Sequence, residues 1–151
     1  SDNALSFATM IFGIIIGVNK HLNSFIYFTK TMTVLVACLS TGKGTWTNLN
    51  KLASSENWEK IYLITDSFGK EKFQLKEKME FILTDFRKDA TELKDDIAGL
   101  LKDKIKDSEV ALNMISGSGN EHMAILSALL KLGLGIRLVD FSETKNELNI
   151  L

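Results

Sequence analysis

The chain has 151 residues, which is enough for one domain with a sizeable buried core. Hydrophobic residues make up 45% of it and charged residues 25%, a balance that is ordinary for a globular protein. The net charge is −1 and no basic run is present. Because a duplex-binding surface needs clustered Lys and Arg, we do not predict contact with duplex nucleic acid.

Cys38 is the only cysteine, so no intrachain disulfide can form. No Cys/His cluster has the spacing of a zinc site, and we predict neither a metal nor another cofactor. Sparse cysteine is typical of proteins in a reducing interior, so we expect a cytoplasmic location.

The first 31 residues differ in composition from the rest of the chain. Residues 4–18, "ALSFATMIFGIIIGV", are apolar throughout, and "NKHLNS" then interrupts the run. The uninterrupted stretch is shorter than the roughly 20 residues that span a bilayer. A longer span would carry Lys20 and His21 into the membrane at high cost.

Three interpretations of this N-terminal extension remain open. Residues 4–28 form a membrane anchor or interfacial helix, or a helix packed on the domain or on a partner subunit. Alternatively, the extension lies upstream of a natural start at Met32, because "MTVLVACLSTG" is how many cytosolic α/β proteins begin. We therefore place the folded domain at residues 32–151.

From residue 33 onward, strand-like and helix-like patterns alternate. The apolar runs typical of strands are residues 33–39, 60–66, 79–86, 109–115 and 135–141. The helical patterns are residues 46–55, 88–106 and 121–133, with room for a short helix in 67–78 and for one more turn or strand in 142–151. This alternation predicts an α/β, Rossmann-like fold, with helices on both faces of a mostly parallel sheet of about five or six strands.

Two small-residue loops follow strands of this predicted sheet, "STGKGT" at residues 40–45 and "SGSGN" at residues 116–120. Ligands of such sheets bind outside the carboxyl ends of the strands, where the strand order reverses. We therefore expect the two loops to converge on one crevice.

The first loop matches neither of the two established phosphate-binding motifs. In the P-loop a Ser or Thr follows the lysine, whereas Lys43 is followed by Gly44. The dinucleotide fingerprint needs a third glycine, and Thr47 stands in its place. Asp66 lies at the distance of the ribose-binding acid, but we favour a strand-end carboxylate that accepts bonds from nearby amides.

The second loop supports two interpretations. Its glycines let a ligand approach the backbone closely, and the amides of the following helix favour an anion, with Ser116, Ser118 and Asn120 as further donors. The alternative is a tight strand-to-helix turn in which Ser118 or Asn120 is the N-cap. Asn113, inside an apolar strand, needs a hydrogen-bond partner in the adjacent loop, in the first-strand loop or in a ligand.

His122 lies in the first turn of the last long helix, where the helix N-terminus favours a neutral imidazole. It is a candidate ligand contact or a solvent-facing residue of the cap region. Cys38 and His122 are a remote candidate for a nucleophile and base, since no third orienting group is evident. We therefore predict no catalytic residue.

Together, "ACLSTGKGTW" after the first strand and "LNMISGSGNEHMA" at the fourth resemble the CRISPR-associated Rossmann fold (CARF) superfamily, over about residues 33–141. The resemblance implies a homodimer that binds a cyclic oligoadenylate second messenger across its two-fold axis. It also implies which residues line the cleft: Ser40, Thr41, Gly42 and Thr45 on one wall, and Asn113, Ser116, Gly117, Ser118, Gly119 and Asn120 on the other. We add Lys43, Gly44 and His122 as further ligand-binding candidates.

This sequence departs from the family pattern in two places. Ser118 replaces the second of the paired glycines, and Asn120 replaces the usual basic residue at the loop end. The second change puts ring cleavage in doubt, although Lys43 offers an alternative charge. The resemblance leaves open a ligand-binding module, a metal-independent ring nuclease or a membrane-attached effector; a structural domain without ligand is the remaining alternative.

Overall fold

The computed structural model describes residues 34–151, so the predicted extension over residues 1–31 lies outside the described part. Within residues 34–151 six strands are formed: β1 Val34–Leu39, β2 Lys60–Thr65, β3 Met79–Leu83, β4 Glu109–Asn113, β5 Gly135–Ser142 and β6 Glu147–Ile150. The helices of this range are α1 Lys43–Ser55, α2 Ser67–Lys72, α3 Ala90–Leu101 and α4 Gly119–Lys131. Among these described helices, none has the length and apolar character needed to cross a membrane.

The six strands form one sheet in the order β3-β2-β1-β4-β5-β6. Strands β1 to β5 run parallel, and β6 pairs with β5 in the antiparallel direction. The predicted Rossmann-like α/β fold is confirmed. The order reverses between β1 and β4, because the chain moves outward through β2 and β3 and then returns to the other side of β1.

The central strand is covered on both faces, as its unbroken apolar sequence predicts. All six residues of β1 are buried. On one face its side chains join a core cluster with α3 and α4, in which Leu93, Ile97 and Leu101 repeat every four residues and are fully buried. Each such leucine or isoleucine contributes about 1.5–3 kcal/mol through burial of its side chain.

The opposite face of the sheet is covered by α1, which contacts β1, β5 and β6. Leu49 and Leu52 of α1 are fully buried. The nearby Trp58 is buried as well, and its indole N–H donates to the Leu52 carbonyl at 3.1 Å. The predicted helix over residues 46–55 therefore exists, but it begins three residues earlier, at Lys43.

Several element ends differ from the sequence prediction because loops and caps take residues from apolar runs. The strand predicted over residues 79–86 ends at Leu83, since Asp85 and Arg87 form a turn in which the Asp85 carboxylate accepts from the Arg87 backbone at 3.0 Å. The helix predicted over residues 88–106 covers Ala90–Leu101. Of the two alternatives for the tail, the strand is confirmed as β6, which follows a turn over residues 143–146.

Candidate functional site at the strand-order reversal

The loops that follow β1 and β4 lie against each other at the carboxyl edge of the sheet. The Ser40 backbone N–H donates to the Ser116 hydroxyl at 2.9 Å, although the two residues are 76 positions apart. Both side chains are buried. This bond joins the loops of the two strands between which the strand order reverses, and this is the position where open α/β sheets bind ligands.

The second loop is closed by a capping box. Ser118 is the N-cap of α4, and its hydroxyl accepts from the Glu121 N–H at 3.4 Å. In return, the Glu121 carboxylate accepts from the Ser118 N–H at 2.9 Å. Of the two predicted N-caps, Ser118 fills the role, whereas Asn120 donates through its side-chain amide to the Lys88 carbonyl at 3.3 Å.

Glu121 is the residue of this site that the sequence interpretation missed. It is a buried carboxylate at the first turn of α4. Besides capping α4, it accepts from the Ser40 hydroxyl at 3.4 Å and lies 3.9 Å from the Cys38 sulfur. The spacing of Ser118 and Glu121, a serine followed three residues later by a glutamate, is the capping-box pattern that would have revealed it.

Gly117 covers this buried cluster and has to be a glycine. Its φ of +107° lies in the region that side chains disfavour. A Cβ atom there would lie 2.6 Å from the Glu121 carboxylate and 2.7 Å from the Cys38 sulfur. The two loops therefore meet above a floor that is formed by the Cys38 and Glu121 side chains. At the position of Gly117, only a residue without a side chain fits over this floor.

Cys38 lies in this floor as a protonated thiol. Burial, together with the charge of Glu121, raises the pKa of Cys38 far above its ordinary value. His122, its candidate base, has Nε2 at 2.8 Å from the Ser116 carbonyl, so that nitrogen donates to the backbone. The raised pKa of Cys38 disfavours the thiolate, which is the nucleophilic form of cysteine.

Asn113 finds both of its partners within the protein. Its side-chain amide donates to the Val139 carbonyl of β5 at 2.9 Å. Its carbonyl oxygen accepts from the Ile115 N–H, in the adjacent loop, at 3.2 Å. The adjacent loop was among the expected partners and β5 was not; the hydrogen bonds hold the start of the loop against the neighbouring strand.

The first loop is held by fewer side-chain bonds. Gly42 is the N-cap of α1 with φ +140°, and no side chain of the described residues caps this helix. The Trp46 indole donates to the Ser40 carbonyl at 2.9 Å, and Thr45 bonds back to the Gly42 carbonyl through its backbone N–H at 2.9 Å and its hydroxyl at 2.7 Å. The start of α1 is therefore not closed by a capping side chain.

The predicted site residues divide by exposure into two sets. The buried ones, whose bonds run within the protein, are Ser40, Asn113 and Ser116. The exposed or half-buried ones, which form the rim, are Thr41, Gly42, Gly44, Thr45, Gly117, Ser118, Gly119, Asn120 and His122. Lys43 is the first residue of α1. The exposed set is rich in glycine, so a ligand at this rim meets mostly backbone.

A polar cleft of about 630 Å³ opens at the carboxyl ends of β2 and β3. It is lined by Asp66, Ser67, Leu83, Thr84, Asp85, Arg87, Lys88 and Asp96. The Asp66 carboxylate accepts from the Gly69 N–H at 3.0 Å, which confirms its interpretation as a strand-end carboxylate that accepts from a nearby amide. No sequence motif indicated this cleft, because residues 84–86 were assigned to a strand.

Among residues 34–151 no group of three or more His, Cys, Asp or Glu side chains is arranged to hold a metal ion. No protein-family model matches the chain, and no curated protein matches it.

Proposed function

We propose that this domain binds a cyclic oligoadenylate second messenger as a homodimer, within a CRISPR-linked antiviral system. The observation that carries the proposal is the hydrogen bond from the Ser40 N–H to the Ser116 hydroxyl, which joins two small-residue loops at the reversal of the strand order. The choice of ligand and of pathway rests on the resemblance of both loops to the CARF superfamily.

The chemistry of the rim suits phosphodiester groups. Backbone N–H groups at the start of a helix point outward and carry a partial positive charge, so they favour an anion. No side chain of the described residues caps the start of α1, and Gly44 leaves open space where a side chain would stand. Phosphate groups can therefore approach the backbone amides of this turn closely.

An apolar stripe on α4 supports the dimer. Met123, Leu126 and Leu130 share one helix face and are exposed, with exposed fractions of 61%, 36% and 60%. Large exposed apolar side chains on one face are typical of interaction surfaces. The stripe starts one turn after the second loop, so a second copy seated on it would bring two such loops near one axis.

Calorimetry with cyclic tetra-adenylate and cyclic hexa-adenylate tests the proposal directly. We expect heat of binding with at least one ring and a stoichiometry of one ring per two chains. Linear oligoadenylate of the same length is the ligand control, because it lacks the two-fold arrangement of phosphates. Absence of heat with both rings, at a dimer concentration well above micromolar, would overturn the proposal.

A matched pair of variants at Gly44 separates binding from folding. Gly44→Glu places a carboxylate at the first turn of α1, where it is favourable for the helix but repels a phosphate. We expect stability to be unchanged or raised by up to about 1 kcal/mol, and ring binding to be lost. Gly44→Gln has the same size without the charge and should retain most of the binding.

The dimer is tested by sedimentation of the full chain. Leu130→Glu should convert the dimer to a monomer, because it places an unpaired charge in an apolar contact. Leu100→Glu is the matched control, since Leu100 of α3 is also an exposed leucine, at 42%, but lies outside the stripe. A native chain that sediments as a monomer at concentrations well above micromolar would contradict the dimer.

The same materials distinguish the alternative functions. Incubation of the rings with the protein, followed by chromatography, reports whether they are cleaved, as the metal-independent ring nuclease requires. A structural domain without a ligand would give intact rings and no heat. In that case Asn113→Ala and Ser116→Ala would change stability alone.

A further inference from the structure

The cleft at the ends of β2 and β3 has the size of a ligand site. Its volume of about 630 Å³ falls within the range of small-molecule pockets, about 300–1,000 Å³. Its lining comes from the start of α2, the end of β3, the β3–α3 connection and Asp96 of α3, so its walls are secondary structure and short connections. These walls are also linked: the Thr84 N–H donates to the Thr65 carbonyl at 2.8 Å, which extends the β2–β3 pairing into the cleft.

The cleft adjoins the two loops of the candidate site. Strand β2 pairs with β1 up to Thr65 and Leu39, and the Thr65 hydroxyl donates to the Leu39 carbonyl at 2.7 Å. On the other side, the Asn120 side-chain amide donates to the Lys88 carbonyl at 3.3 Å. The β3–α3 connection, which forms one wall of the cleft, is thus bonded to the second loop. Strand β2, which leads into the cleft, pairs with β1, the strand that leads into the first loop.

The charges of the cleft differ in sign from those of the rim. Three carboxylates, Asp66, Asp85 and Asp96, line it beside two cations, Arg87 and Lys88. Both cations are already paired: Arg87 bonds both oxygens of Asp85 at 2.9 Å, and Lys88 bonds Asp96 at 2.5 Å. With three carboxylates to two cations the lining carries a net charge of −1, which disfavours a phosphate, and its carboxylate oxygens keep lone pairs that can accept hydrogen bonds.

A hydroxyl in the cleft wall lacks a partner. Thr84 lines the cleft, and its hydroxyl has no hydrogen-bond partner among the described residues, although the oxygen is covered. A covered hydroxyl without a partner is costly, by about 1–3 kcal/mol.

We infer that this cleft takes the nucleoside part of a nucleotide whose phosphate lies on the neighbouring loops, and that it selects a base with an exocyclic amino group. An amino group and ribose hydroxyls supply the donors that carboxylates and lone pairs accept, whereas the phosphate is directed to the backbone amides of the rim. The inference rests on the proposed function, because the loops hold the rest of the ligand.

Titration of the isotope-labelled full chain with adenosine, followed by NMR, tests the cleft without using the phosphate site. We expect the amide signals of Asp66, Thr84, Arg87 and Asp96 to shift. Inosine, in which a carbonyl replaces the amino group, should bind about tenfold more weakly, the loss expected for one unmade hydrogen bond.

Asp66→Asn is the sharpest variant, because asparagine is an N-cap as good as aspartate and can still accept from the Gly69 N–H. It removes the surplus charge and should weaken adenosine about tenfold with the melting temperature unchanged. Asp95→Asn makes the same charge change on the exposed side of α3, outside the cleft, and should leave adenosine affinity unchanged.

The outcomes separate the cleft from the ring. Cleft shifts with adenosine, weakened by Asp66→Asn and not by Asp95→Asn, support the inference. If cyclic tetra-adenylate binds while adenosine shifts no cleft signal, the inference is overturned and the proposed function stands. If adenosine shifts the cleft while neither ring binds, the proposed function is overturned and the nucleoside site stands. If neither adenosine nor either ring gives a binding signal, both the inference and the proposed function are overturned.

Discussion

The two loops at the strand-order reversal are similar in sequence and different in construction. The loop after β4 leads into a helix that its own side chains close, through the capping box of Ser118 and Glu121. The loop after β1 leads into a helix whose N-cap is Gly42, without a side-chain cap among the described residues. The second loop is therefore a structural anchor, whereas the first loop leaves more backbone N–H groups available to bind an anion.

A glycine-rich loop at a strand end can thus be either a structural turn or an anion-binding site, and its hydrogen bonds distinguish the two. Glu121 supplies the negative charge that the start of α4 favours, and it is buried beneath the loop. An external phosphate at α4 competes with this internal carboxylate. At α1 no such carboxylate stands among the described residues, since the first turn contains no acidic side chain.

The largest effect is expected from Gly117→Ala. The added methyl group would meet the Glu121 carboxylate and the Cys38 sulfur at under 3 Å, in a backbone conformation that alanine disfavours. We expect a loss of about 3 kcal/mol in the free energy of unfolding, measured by urea denaturation. Gly119→Ala is the control, because open space surrounds that position, and it should be neutral or stabilising. Equal losses from both variants would contradict the close approach of Gly117 to Glu121 and Cys38.

Glu121→Ala is expected to cost about 2 kcal/mol, because it removes the carboxylate half of the capping box and leaves the Ser118 N–H and the Ser40 hydroxyl without their acceptor. Glu121→Gln keeps one acceptor oxygen and the shape, and should cost about half as much. Both values are accessible from thermal unfolding followed by circular dichroism. A neutral Glu121→Ala would show that the second loop does not depend on its carboxylate.

Trp46→Phe should have the smallest effect of the three, about 1 kcal/mol, because it removes the single bond from the indole to the Ser40 carbonyl. A phenyl ring can keep contact with Phe68 and Phe73, which lie 6.3 and 5.6 Å from the indole between ring centroids. Urea denaturation measures the difference. A loss larger than that of Glu121→Ala would make the first loop the better anchored one and reverse the comparison.

The sequence predicts the architecture well, because apolar runs and helical patterns are local features of the sequence. Their alternation along the chain corresponds to the observed order of strands and helices. It also predicts that residues 40–45 and 116–120 meet, since both follow strands of a parallel sheet. The roles of individual side chains are less accessible. Asn113 requires a partner by its burial, but only the register of β4 and β5 identifies the Val139 carbonyl as that partner.

Two features of the site escape a sequence interpretation for physical reasons. The cleft beside Asp66 is formed by residues from the start of α2, the end of β3, the β3–α3 connection and α3, so no single stretch of chain carries its pattern. The position of Gly117 over Cys38 and Glu121 depends on how two strand ends approach each other. By contrast, the Ser118–Glu121 pair is a local pattern, and its spacing would have been sufficient to choose Ser118 over Asn120 as the N-cap and to identify Glu121.

The two tryptophans give the molecule two intrinsic fluorophores with separate surroundings. Trp58 is 1% exposed and bonded to the Leu52 carbonyl, so its emission should be blue-shifted and insensitive to events at the sheet edge. Trp46 is half-buried and bonded to Ser40, the residue that joins the loops. Occupation of the rim should thus alter the emission of Trp46 alone, which makes the unlabelled protein its own optical sensor of the first loop.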